Sequence, residues 1–346
     1  MKITHPDLLA PQRSLAIQRL TALWAFAESG LGGVLHAFQI PFTGLVIGGF
    51  AVIIITLIAK FSDHQYQKII KSFLIVLIVK AMVSPHTPFP AYLAISFQAL
   101  LGYCLFSLFK INFLSIFLLS ILSMMESAIQ KLLILTFFFG QSLWKAADGL
   151  VDFITKQFGL HQVDGSYWLI VLYLLIYFAG GIVIAWLTFK TIRQFSFTHE
   201  LPEINLLELN DTAEKKKNGK IKIWAGIILM LIISFLLFFF SPESSSGWMA
   251  VLKTIIWTIS AILIWYMILA PLLTRLIIKL LKQKESRYRK EVTETLSVLP
   301  SIKKLSILAW QQSRKYHGLK RITFFLSLLL HWSLTYSDTA LHNTTT

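Results

Sequence analysis

Residues 20–38 read Leu20-Thr-Ala-Leu-Trp-Ala-Phe-Ala-Glu-Ser-Gly-Leu-Gly-Gly-Val-Leu-His-Ala-Phe38, an apolar run long enough to cross most of a bilayer as a helix. Four small residues, Ala25, Ser29, Gly33 and Ala37, recur every fourth position and so form one ladder along its side. In lipid such a ladder lets a second helix approach closely, because association there depends on packing and not on water exclusion. The neighbouring face carries Glu28, Gly32, His36 and Gln39. Ionisable groups inside a membrane are costly and usually face a partner or a cavity. A docking face beside a polar face predicts transport or binding, not a passive anchor.

The rest of the chain agrees with a membrane setting. Hydrophobic residues make up 55% of the sequence and charged residues only 14%, against roughly 25% charged in soluble domains. Mean hydropathy is +0.67. The predicted class is therefore an all-α, polytopic helical membrane protein. About eight transmembrane helices are expected, near 20–38, 43–59, 67–83, 90–109, 112–139, 166–189, 223–240 and 250–274, followed by a basic amphipathic cytoplasmic tail. The opening twenty residues lack the basic-then-apolar pattern of a cleaved secretory signal. Cys104 is the single cysteine, so neither an intrachain disulfide nor a thiolate metal cluster is expected.

Charge orients these spans. Lys2, Arg13 and Arg19 precede the first; Lys60, Lys68 and Lys71 flank the next even loop; Lys110 lies between the fourth and fifth. After the sixth come Lys190, Arg193, Lys215, Lys216, Lys217, Lys220 and Lys222, whereas loops 39–42, 84–89 and 241–247 hold neither Lys nor Arg. The positive-inside rule then places both termini in the cytoplasm of a plasma (inner) membrane. Composition divides the chain into a six-span block (1–195), a polar cytoplasmic linker (196–222), two further spans (223–280) and basic cytoplasmic helices (281–346). No internal repeat or pseudo-symmetry between halves is visible.

Buried polar residues define the candidate site. His36 and Gln39 fall at the outer end of the first span, Lys80 near the outer end of the third, and Ser96 and Gln98 in the outer half of the fourth. The fifth carries Ser120, Ser123, Glu126, Ser127 and Gln130 on one stripe. Glu28, His36, Gln39, Lys80, Gln98, Glu126 and Gln130 are therefore the expected substrate contacts, since a few polar groups in an apolar pocket are what a solute site requires. A structural alternative stays open: serines bonded to their own helices, Gln or Lys bridging helices or snorkelling, and Lys80 paired with Glu126. For the small-residue ladder the alternatives are packing inside the bundle and an external partner. Gly44 and Gly48 form a second small-residue pair.

In the tail, thirteen Lys and Arg face three acidic residues between Arg275 and Arg321. A break is expected at Pro300, then an amphipathic helix with Ile302, Leu305, Leu308, Ala309 and Trp310 opposite Lys303, Lys304, Arg314 and Lys315, and a second break at Gly318. Such a segment suits anionic membrane lipid or an acidic cytosolic protein. Nucleic acid is not an expected partner, because the positive-inside rule already explains the basic cluster. No HExxH, Walker A, Gly-x-Ser-x-Gly or paired-aspartate motif is present. No cofactor, metal or catalytic residue is therefore expected, and active transport would draw on an ion gradient or a separate ATPase.

With six spans, the four-spaced ladder and outward-lying polar groups, the first 195 residues resemble the substrate-binding S component of energy-coupling-factor (ECF) vitamin transporters. The resemblance implies that Ala25, Ser29, Gly33 and Ala37 contact a coupling subunit and that the polar set binds a small vitamin-like organic substrate. The second half resembles part of that system's T component, with Arg314 and Lys315 as echoes of its ATPase-contacting helices. It has two spans where four or more are usual, and lacks the Ala-Arg-Gly signatures. Two other function classes stay open: a scaffold in a membrane complex, and a lipid-modifying enzyme using Glu28 or Glu126 as general base with His36.

Overall fold

The computed structural model describes residues 10–31, 42–84, 87, 89–157, 165–194, 259 and 264–335. Every element among them is helical: α1 (Ala10–Phe26), α2 (Thr43–Phe61), α3 (Gln67–Val83), α4 (Phe89–Phe109), α5 (Phe113–Gln157), α6 (Gly165–Gln194), α7 (Ala270–Gln312) and α8 (Gly318–Thr335). Wider π turns extend α1 over Ala27–Leu31 and lead into α7 over Ile264–Leu269.

Of these, α2, α4, α5 and α6 are long and apolar enough to cross a membrane. α2 makes the physical reason plain. Its centre, Val52-Ile-Ile-Ile-Thr56, is β-branched throughout and would favour a strand in water. Away from water a helix satisfies every backbone group within the segment, and that outweighs propensity. The expected spans two to six coincide with α2–α6, although α5 continues well past residue 139. α3 has 17 residues, about 26 Å of helix, which is short of the usual hydrocarbon thickness; α1 with its π turn runs to Leu31, where the described residues stop. The outer part of the first expected span (32–38), the whole seventh (223–240) and most of the eighth lie outside the described residues.

Short polar devices set the turns. Asp63 and His64 turn the chain between α2 and α3 with positive φ (52° and 65°), a conformation those residue types tolerate. Arg13 of α1 pairs with Asp63 there. Asn112 and Ser115 cap α5 reciprocally, Asn112 Oδ1 accepting from Ser115 N at 2.8 Å and Ser115 Oγ from Asn112 N at 3.0 Å.

The chain forms two compact units. The first takes in α1–α4, α5 to Ser127, α6 from Tyr177, and α7 from Thr274 with α8. α2 is the most enclosed of the four long apolar helices, and glycines bring its neighbours close. A Cβ at Gly102 of α4 would lie 2.7 Å from Ile55 Cγ2; one at Gly49 would lie 2.6 Å from Ile184 of α6. Gly181 of α6 meets the backbone of α5 at Ile121. α1 packs on α2 and α3.

The tail folds back onto this unit. Glu294 accepts from Gln18 Nε2 at 2.7 Å, Glu291 pairs with Lys71 at 2.7 Å, and Arg19 donates to the Leu334 carbonyl at 2.6 Å. The expected break at Pro300 is not found: α7 runs through it, and the non-helical residue is Tyr288 (φ −111°, ψ 17°). Proline removes one backbone hydrogen bond, and buried side chains on both sides of it (Val292, Thr295, Ile302, Leu305) hold the helix in place. The expected break at Gly318 is present, with φ +56° at the start of α8.

The second unit contains the later part of α5 and the start of α6. α5 kinks at Gly140 (φ 62°, ψ −155°), a conformation open essentially to glycine alone. Asp148 Oδ1 accepts from Ser166 N at 2.6 Å and so caps α6.

Candidate functional site

Two polar centres lie inside the first unit. One is an ion pair between α1 and α3. Lys80 Nζ stands 2.9 Å from Glu28 Oε2 and also donates to the Glu28 carbonyl at 3.0 Å, with both side chains no more than 7% exposed. Glu28 sits in the wide turn at the end of α1, where relaxed winding leaves a carbonyl open to a side chain. Lys80 is an expected substrate contact, with a pair to Glu126 as its structural alternative; the ion pair it makes is with Glu28. Local sequence spacing is blind to a contact 52 positions apart, and the α1–α3 packing decides it.

The second centre lies along α2, α4 and α5. Gln98 and Ser123 are buried, and Gln98 Oε1, Ser123 Oγ and Glu126 Oε2 have no hydrogen-bond partner. Enclosed polar atoms without partners are costly and uncommon. α2 meets this centre with glycine. A Cβ at Gly48 would come within 2.9 Å of Gln98 Nε2 and 3.0 Å of Met124 Cε. One at Gly44 would lie 3.4 Å from Ser127 Cβ and 3.8 Å from the Tyr177 hydroxyl. The two glycines are one helical turn apart, so the Gln98 amide and Ser127 face α2 about 6 Å from one another along its axis. Ser127 Oγ itself donates to the Ser123 carbonyl at 3.2 Å.

The expected site residues therefore separate. Glu28 and Lys80 neutralise one another. Gln98 and Glu126 each carry an unpartnered acceptor in the first compact unit, Gln98 beside Gly48 of α2 and Glu126 on the α5 stripe next to Ser127. Gln130 lies a turn beyond Glu126, in the second unit. His36 and Gln39 fall outside the described residues, as do Gly33 and Ala37 of the ladder. Ala25 and Ser29 are buried. Ser29 Oγ donates to the Ala25 carbonyl, and α1 is covered there by the chain's own helices, so this half of the ladder serves internal packing. Arg314 and Lys315 are exposed in the turn between α7 and α8.

Sequence reasoning passed over Gly48 and Met124 as parts of the site, and treated Ser123 only as a member of the stripe. The signal was available in the small-residue pair Gly44 and Gly48, which marks a close approach. Which groups make that approach is a tertiary matter. Chemically the centre is rich in acceptors, suiting a ligand that donates N–H or O–H groups. Among the described residues no group of three or more His, Cys, Asp or Glu side chains is placed to hold a metal ion. Compared with known proteins, the chain matches no family model, no curated protein and no solved structure.

Proposed function

We propose that this chain is a multi-pass component of the plasma (inner) membrane that binds a small organic solute for uptake. The solute engages Gln98 of α4 and the Ser123–Glu126–Ser127 stripe of α5, beside the close contact that Gly44 and Gly48 of α2 make with these helices. The observation that carries this is a set of enclosed polar atoms without partners in the first unit: the Gln98 Oε1 and Glu126 Oε2 oxygens and the Ser123 hydroxyl. A donor-bearing ligand would satisfy them together, whereas a purely structural cluster is expected to satisfy itself. Energy would come from a separate cytosolic ATPase through a coupling subunit, in the manner that the ECF resemblance implies.

The test is mass spectrometry of small molecules retained by the full chain after mild purification from its native membranes. A stoichiometric metabolite with N–H or O–H donors is expected. Its retention should fall roughly tenfold or more in Glu126→Gln and Gln98→Leu, each of which removes one acceptor. A folded preparation that retains no small molecule, or whose retained molecule is indifferent to both changes, would refute the assignment. Co-purifying ATPase subunits would support the proposed coupling; their absence beside a retained solute would refute the coupling and leave solute binding standing.

A further inference from the structure

We infer that the tip of the α7–α8 hairpin, residues 310–322, is a docking surface for the anionic headgroups of a membrane. The inference is independent of the solute site and starts from charge. Between residues 295 and 337 there are six Lys and Arg (Lys303, Lys304, Arg314, Lys315, Lys320, Arg321) and no Asp or Glu. The acidic side chains that precede them, Glu291 and Glu294, are engaged with Lys71 and Gln18.

Packing then divides the hairpin in two. Ile302, Leu305, Leu308, Ala309 and, on α8, Leu326 and Leu328 are buried. Trp310, expected among them, is 46% exposed, and Tyr316, Leu319 and Ile322 are exposed with it. The tip is shaped and not frayed. Tyr316 N donates to the Ser313 carbonyl at 3.0 Å, and the Tyr316 ring lies 4.7 Å from that of Phe324. The Arg321 guanidinium stacks 4.2 Å from the Trp310 ring, which itself meets Phe325 edge-on at 5.4 Å.

Exposed Trp, Tyr, Leu and Ile interleaved with Arg and Lys suit the headgroup boundary, where apolar bodies enter the acyl region and cations meet lipid phosphate. An acidic protein surface would satisfy the cations, yet would leave the aliphatic tip residues without an apolar counterpart. A membrane satisfies both, and the apolar helices of the same chain supply a reason for one to be at hand.

The experiment uses the full chain with Cys104→Ser, labelled at Leu319→Cys with a polarity-sensitive fluorophore. It is placed in nanodiscs of phosphatidylcholine alone or with added phosphatidylglycerol, which leave both membrane faces accessible. The expected result is a blue shift and quenching by shallow spin-labelled lipid in the anionic discs, reversed by high salt. Arg314→Gln and Lys315→Gln should each lower the docked-to-free ratio roughly fivefold. All three positions are exposed, and a second label at Tyr316→Cys guards against a local defect. A label equally wet in both discs overturns the inference. So does one shielded by soluble polyglutamate in neutral discs but not by phosphatidylglycerol, which would assign the surface to an acidic protein.

Discussion

Replacing one member of the Glu28–Lys80 pair strands the other charge in a site from which water is excluded. Glu28→Gln or Lys80→Met should each cost roughly 3–5 kcal/mol of stability. The double replacement should cost less than the sum of the two, because no orphaned charge remains. Thermal or denaturant midpoints in detergent across that cycle measure the coupling; strict additivity would mean that the pair does not act as one. Gly48 gives a contrasting case at the second centre. Gly48→Val would drive methyl groups into the Gln98 amide and Met124, and an overpacked contact of this kind costs about 1–3 kcal/mol. With the solute held at this centre, retention of the metabolite should fall further than stability does. Equal losses in the two measurements would indicate a packing contact only.

At the scale of elements, α7 is held to α1 and α3 by hydrogen bonds that have a pH signature. The hydrogen bond from Lys71 holds the Glu291 carboxyl below the ordinary carboxylate range. A carboxyl whose pKa is depressed by folding contributes stability that is fully present above its unfolded value, and that contribution is lost as pH falls through the folded value. The contact should therefore hold at neutral pH and loosen in acid below about pH 4, the ordinary carboxylate range. Both partners are partly exposed, so salt should weaken it as well. Hydrogen exchange of the α7 backbone around Glu291, corrected for the intrinsic pH dependence of exchange, reads the opening, and Glu291→Gln should remove the acid-dependent increment. Protection unchanged between neutral and acidic conditions would rule the contact out as a clasp. Within α5, Gly140→Ala should straighten or destabilise the kink, because φ 62° with ψ −155° has no comfortable place for a Cβ.

At the scale of the whole molecule, four long apolar helices with a folded-back basic tail predict integral membrane behaviour. The chain should remain in the membrane pellet after an alkaline carbonate wash, and a cysteine at Asp63 in a Cys104→Ser background should label from the cytoplasmic side only. Release by carbonate would dismiss the membrane assignment; labelling from outside would invert the orientation. Truncation after residue 317 removes the Leu334 carbonyl that Arg19 holds, together with the α8 side chains packed near α1. A lower thermal midpoint is expected, since the tail belongs to the first compact unit and is not an appendage to it.

By itself the sequence determined the all-helical architecture and most helix positions from α2 to α6. Hydropathy and helix length are local properties, and a segment without water must bond its own backbone whatever its β-branched content. It also marked Glu28, Lys80, Gln98 and Glu126 as costly groups that need an explanation, and it located the turn at Gly318. Only the tertiary structure decided that Lys80 answers Glu28, that Ala25 and Ser29 are used internally, and that α7 persists through Pro300. The same holds for the meeting of Gly44 and Gly48 with Ser127 and Gln98. In each case the outcome rests on side chains many positions apart, or on packing strong enough to override a local preference, and neither is written in the spacing of nearby residues.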